Sequence, residues 1–337
     1  MKLAGITALF ASLAAAVSVD LNQRASPLAV AIKVVENSVV QATVTNNGKT
    51  PLKVLQAAAK VPFDGLRLQI ATSGLTEDAF KTINPGQTIS VSWDVAEVHD
   101  LSAGGAFDLL TTGTLSYAEA DSTELTGTVA FTSNVVTASI DGTAASNVRR
   151  AFHDNVKRTI VQSDCTSTKL TATRTGESNC RAFAAAASTA ALSGPAAKMV
   201  EYFKSSTTAT RNTVAGVFNK VATECGSTTS GVSKTYCSDV LSSCSSGVLA
   251  YTLPSSSLIV NCPLYFSALP AVTSTCHAQD QATCTLHETT HLSQIKGTTD
   301  QGGCYGYSCV QSLTASQNLN HADTYALFAN ALFLSRL

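Results

Sequence analysis

The sequence predicts an α+β protein: an antiparallel β-sandwich-like unit first, then a mainly helical unit with a small β-hairpin. Three observations carry this reading. Short β-branched runs separated by turns fill the first half, and alanine-dense, helix-compatible stretches fill the second. All ten cysteines lie at or beyond Cys165, so the two halves are built differently. The chain's 337 residues exceed one average domain. With 45% hydrophobic and 13% charged residues, it has ample apolar material for folded cores rather than disorder.

The opening MKLAGITALFASLAAAVS, residues 1–18, reads as a signal peptide. Lys2 supplies the positive start, Ala4 to Val17 the apolar run, and Ala14, Ala16 and Ser18 the small residues that a signal peptidase accepts. No later stretch reaches the roughly 18 uninterrupted apolar residues of a membrane span. The product is therefore expected to be secreted, with no membrane partner. An even number of cysteines in an exported chain points to disulfides. With 22 basic and 23 acidic residues, the net charge of -1 gives no electrostatic reason to expect nucleic acid as a partner.

Residues 19 to about 150 carry the strands. Ala29–Val35 and Ser38–Val44 are β-branched, and Asn46-Asn47-Gly48 follows as a turn. Similar runs recur at Thr88–Trp93, Gly113–Tyr117 and Gly127–Phe131. Short strands at this spacing favour a small antiparallel sandwich. Basic residues then cluster at Arg149-Arg150 and Lys157-Arg158. Because Lys157-Arg158 falls at the composition break, residues 19–158 read as a propeptide. Thr159 is then the first residue of a mature domain, 159–337, released by a processing protease.

Beyond the break, helices are expected over Cys180–Leu192, ending near Gly194-Pro195, over Pro195–Lys204 with proline in the first turn, and over Arg211–Thr223. Val248–Thr252 and Ser257–Asn261 read as a hairpin. Two further helices carry the chemistry.

His287-Glu288-Thr289-Thr290-His291 is an HExxH motif. Residues four apart share a helix face, so both imidazoles can reach one ion. A catalytic zinc site takes three protein ligands and leaves a position for water. Glu288 can take a proton from that water, which zinc acidifies. A third ligand is needed, and the chain restricts the choice. The position six residues after His291 is Gly297, and no glutamate follows Glu288. Asp300 and Asp323 are the downstream carboxylates, and His321 is the extra imidazole. The expected set is His, His, Asp, with one zinc ion per mature domain. Glycines on both sides of Asp300 let the chain leave the helix and fold a carboxylate back toward the metal.

HExxH followed by Gly297-Thr298-Thr299-Asp300, then Tyr305-Gly306, resembles the deuterolysin group, the fungal aspzincin metalloendopeptidases of zincin-like fold. His321-Ala322-Asp323-Thr324-Tyr325-Ala326-Leu327 is similar to the family's C-terminal helix. The layout of signal, long propeptide, dibasic site and mature domain extends the likeness over essentially the whole chain. The resemblance implies His287, His291 and Asp300 as ligands, Glu288 as the catalytic glutamate, Tyr305 as the oxyanion donor and Asp323 as a substrate contact or ligand. It implies protein or peptide substrates, and the chain is expected to act as a monomer. It also implies disulfides Cys165–Cys237 and Cys244–Cys262. Two departures stand out. The segment from Asp300 to Tyr305 is about two residues longer than the family pattern and contains Cys304, which leaves Tyr305 and Tyr307 both open as the donor. The chain also lacks the family's terminal cysteine, so Cys276 loses its usual partner. The pairing of Cys180, Cys225, Cys284, Cys304 and Cys309 is open, and Cys284 or Cys304 rivals Asp300 as a zinc ligand. The first half has no cysteine to cap a metal, so an inhibitory propeptide must act sterically or through another ligand such as His153. The competing reading is a secreted β-domain binding or cell-wall protein with an inactive metalloprotease module.

Overall fold

The β-branched runs of the first half become strands because such side chains pack well on a pleated surface. In the computed structural model, which describes residues 26–55, 66–154, 161–227 and 230–334, they extend over β1 (Leu28–Glu36), β2 (Val39–Asn46), β3 (Leu52–Leu55), β4 (Arg67–Ile70), β5 (Phe80–Ile83), β6 (Thr88–Asp94), β7 (Gly105–Leu109), β8 (Thr112–Ala118), β9 (Leu125–Thr132) and β10 (Val136–Ile140). Residues 1–18, Lys157, Arg158 and Thr159 lie outside the described residues, as does the side chain of His153.

These strands divide among antiparallel sheets ordered β1-β2-β6, β5-β3-β8-β9 and β10-β7. Strand β4 belongs to none of them. It joins the sheet of the second half, whose order is β11-β13-β12-β4, where β11 is Lys234–Tyr236, β12 Val248–Leu253 and β13 Leu258–Asn261. The expected hairpin is the antiparallel pair β12–β13. A helix, α1 (Gly142–Asp154), for which no expectation was drawn, carries the basic pair Arg149-Arg150. The chain is thus α+β, with strands in both halves.

The helices of the second half are α2 (Ser167–Ser193), α3 (Ala196–Phe203), α4 (Thr208–Cys225), α5 (Pro263–Ala268), α6 (Gln281–His291), α7 (Gly306–Ser312), α8 (Ala315–Asn318) and α9 (Ala322–Leu334). Helix α2 begins well before the expected Cys180. Its first half is rich in Thr, Ser and Gly, poor helix formers, but Thr173 and Gly176 are buried there and packing outweighs propensity. Phe183, Phe203, Phe218, Tyr325 and Phe328 form the centre of one apolar cluster, with Phe218 and Phe328 stacked at 5.7 Å. A second cluster joins the two halves: Leu66, Ile70, Ala71 and Phe80 pack with Leu249, Tyr251, Val260 and Tyr265.

Disulfides join Cys165 to Cys237, Cys244 to Cys262, Cys180 to Cys225 and Cys304 to Cys309. Cys276 is unpaired and exposed. Cys284 is unpaired and buried in the cluster shared by the two halves, where burial pushes its thiol pKa well up. Among the described residues, no helix is long and apolar enough to cross a membrane.

One glycine sets how closely α2 approaches α6. A Cβ on Gly176 would fall far inside contact with the Tyr265 hydroxyl and 3.1 Å from Thr285 Oγ1. Alanine gains about 1 kcal/mol of intrinsic helix preference over glycine, but overpacking costs about 1–3 kcal/mol. Tyr265 is fully buried and has nowhere to retreat, so the cost wins. Gly176→Ala is expected to lower the thermal unfolding midpoint of the full chain by several degrees. A midpoint at or above that of the parent would show that the two helices can part freely.

Candidate metal centre

Helix α6 starts where Asp280 accepts from the Thr283 N–H at 2.7 Å and the Thr283 hydroxyl accepts from the Asp280 N–H at 3.0 Å. This capping box satisfies donors that a helix start leaves unpaired. Every residue from Leu286 to His291 is buried, so the polar HExxH motif lies in the interior rather than on a solvated face.

Each histidine is oriented through Nδ1. His287 Nδ1 donates to Asp323 Oδ1 at 2.7 Å, and His291 Nδ1 donates to the Thr298 carbonyl at 2.9 Å. Both imidazoles thereby turn Nε2 toward the same space, the orientation that metal-ligating histidines need. The loop that follows brings in the carboxylate. Gly297 (φ 68°) turns the chain, and the Thr298 N–H donates back to the Thr290 carbonyl at 3.1 Å. A bridge between Thr299 and His321 then ties the loop to the start of α9. Asp300 arrives with Oδ1 3.2 Å from His287 Nε2 and Oδ2 3.5 Å from His291 Nε2.

Potential ligand atoms of His287, His291 and Asp300 all lie within 4.8 Å of one another. His287 Nε2, His291 Nε2 and Asp300 Oδ1 are buried and have no hydrogen-bond partner. Unpaired buried polar atoms are costly. Three of them converging on one point, from the donor types that zinc prefers, fit a bound zinc ion.

The electrostatics agree. Burial opposes charge on His287, yet the carboxylates of Asp300 and Asp323 outweigh it and hold the imidazole pKa well above its ordinary value. Burial dominates at His291 and lowers its pKa to about 3. The pocket therefore draws positive charge while keeping one imidazole neutral. Glu288 Oε2 accepts from Thr252 Oγ1 at 2.6 Å, while Oε1 is buried and unpaired. Burial raises the Glu288 pKa to about 8; a divalent cation beside it acts in the opposite sense.

The sequence profile of the deuterolysin metalloprotease family matches residues 1–335. The chain belongs to the deuterolysin metalloprotease family. It is similar to a neutral protease 2 homolog of Colletotrichum graminicola, 54% identical over 99% of each chain, and to one of Phaeosphaeria nodorum, 52% identical over 97% of each. Among solved structures it is similar to a zinc peptidase from Grifola frondosa, with TM-score 0.41 and 19% identity, covering 49% of this chain and 96% of that one. Membership of the family makes the protein a zinc-dependent metalloendopeptidase.

In this deuterolysin the other candidates separate clearly. The Tyr305 ring lies 6.3 Å from that of His287, whereas Tyr307 stacks on His277 at 3.8 Å and donates to Glu201 Oε1 at 2.8 Å. Only Tyr305 of the two stands beside the cluster. The long segment before it is a tight turn, Gln301–Gly303, in which Gly302 and Gly303 take positive φ and Gly302 accepts from the Thr114 hydroxyl. Asp323, expected as a substrate contact or ligand, lies behind His287. It is 3% exposed, with Oδ1 on His287 and Oδ2 accepting from the Gly306 N–H at 2.6 Å, so it buttresses the His287 ring. His321 is buried and accepts from the Gln301 N–H at 3.2 Å. Cys304 is spent in a disulfide and Cys284 in the apolar core, which leaves Asp300 without a sulfur rival. Thr252, outside every motif, also bears on the site through Glu288, and no local pattern marked it.

Proposed function

We propose that the chain is the precursor of a secreted endopeptidase in which His287, His291 and Asp300 hold one zinc ion and Glu288 is the general base. The observation that carries this is the convergence of three buried, unpaired ligand atoms from one helix and its following loop. When bound there, zinc supplies a Lewis acid that acidifies water and polarises a peptide carbonyl. Glu288 is held through one oxygen by Thr252, which leaves the other to take a proton from the attacking water and pass it to the departing amine. Tyr305 offers its hydroxyl to the carbonyl oxygen as negative charge develops. Asp323 keeps His287 in the required tautomer.

In this reading residues 1–18 leave as a signal peptide, and 19–158 form a β-rich propeptide, sandwich-like in character. A processing protease cuts after Lys157-Arg158, and the mainly helical mature domain, 159–337, works as a monomer on proteins and peptides outside the cell. Four disulfides, all at or beyond Cys165, support an oxidising destination. The test is mass spectrometry and metal analysis of the protein recovered from culture medium. The expected product starts at Thr159, carries one zinc, loses peptide hydrolysis in a strong chelator and regains it with added zinc. Undiminished digestion in chelator would end the metal reading, and a product retaining residues 19–158 would end the precursor reading.

A further inference from the structure

Strand β12 has two edges. β13 takes one and β4 takes the other. Arg67 stands opposite Thr252, Leu68 opposite Tyr251 and Gln69 opposite Ala250, in antiparallel register. Thr252 is the residue that holds Glu288, so β4 runs directly alongside the candidate base. The segment is gripped by its main chain. Tyr305 donates its hydroxyl to the Leu68 carbonyl at 2.6 Å, and the Ala71 N–H donates to the Gly247 carbonyl at 2.8 Å. Gln279 Nε2 donates to the Ile70 carbonyl at 2.9 Å, while its Oε1 accepts from the Thr72 N–H at 2.9 Å.

The Gln279 amide therefore offers the segment one donor and one acceptor, as a neighbouring strand does. Its place is firm, because it immediately precedes Asp280, the fully buried N-cap of α6. Two of its three contacts are to main-chain groups, the third being the Thr72 hydroxyl 3.2 Å from Oε1, so most of what it reads is independent of sequence, as an endopeptidase requires.

We propose that the β12 edge, Gln279 and Tyr305 form the track that binds an extended peptide in the active site. Gln279 is a main-chain clamp for substrate, and residues 67–72 are the resident occupant that keeps the uncut chain latent. This rests on the metal centre above being the active site. The ligand class is any polypeptide able to present a carbonyl and, two residues later, an N–H in β geometry. Ile70 and Ala71 add apolar burial that an arbitrary peptide lacks. These contacts are non-covalent, so a cut after Arg158 alone leaves the track filled until the segment departs or is itself cut.

The test uses the full chain carrying Glu288→Gln, so that nothing is hydrolysed, with a fluorescein-labelled peptide of residues 66–73 as the probe. The parent is expected to show no binding. Ile70→Asp places a charge in an apolar cluster, expels the resident segment and opens the track to the probe. Adding Gln279→Ala removes the two main-chain hydrogen bonds together with the contact to the Thr72 hydroxyl and weakens binding about tenfold. Equal binding to the parent and the Ile70→Asp chain, or unchanged binding after Gln279→Ala, overturns the proposal. Should Ile70→Asp unfold the chain, hydrogen exchange decides. Gln279→Ala alone should speed exchange at the Thr72 amide by about tenfold while α6 amides stay slow, and an unchanged Thr72 rate overturns the clamp. Neither readout involves catalysis, so its failure and that of the active-site reading are separate results.

Discussion

Glu288→Gln is expected to retain zinc and lose hydrolysis. The change is isosteric, and the glutamine carbonyl can still accept from Thr252 Oγ1, so α6 keeps its geometry. Removed is the ability to take a proton, and loss of a positioned general base costs about 10²–10⁴-fold in rate. His287, His291 and Asp300 are untouched, so metal content should match the parent at one zinc per chain. Turnover of a fluorogenic peptide, measured beside zinc content on the same preparation, checks both halves. A variant within tenfold of the parent's rate would remove Glu288 from the chemistry. One that lost its metal would show that the effect was structural.

The second large effect separates the two aspartates. Asp300→Ala deletes a carboxylate lying 3.2 Å from His287 Nε2 and 3.5 Å from His291 Nε2, and leaves both imidazoles facing a gap. Asp323→Ala leaves the cluster complete but frees the His287 ring, and losing such an outer partner costs about 10–100-fold in metal affinity. Competition against a chelator of known affinity should therefore place Asp300→Ala beyond that range and Asp323→Ala within it. The reverse order would make Asp323 the ligand and Asp300 the support.

The parts of the site that could be read directly were those held together by local geometry. His287, Glu288 and His291 lie within one helical turn, and spacing alone puts the two imidazoles on one face. Asp300 followed from the shortage of downstream carboxylates and from flanking glycines, one of which, Gly297, does turn the chain. Thr252 was out of reach because it meets Glu288 across 36 residues and an ordinary strand threonine carries no mark of its partner. Strand β4 was missed for a related reason: four residues pair with a strand far down the chain, and a run that short has no periodicity to detect. Helix α2 shows the opposite failure, where weak local propensity hid an element that packing imposes. The choice between Tyr305 and Tyr307 turned on three-dimensional surroundings, since one hydroxyl meets Leu68 and the other Glu201.

Both edges of β12 are taken, one by β13 and one by residues 67–70. Whatever replaces that second partner must be drawn out nearly straight, because a helix or a tight loop cannot match the row of main-chain groups. A native globular protein offered to this enzyme would thus be cut where its own structure opens, and its local unfolding free energy would enter the rate as much as any side-chain preference.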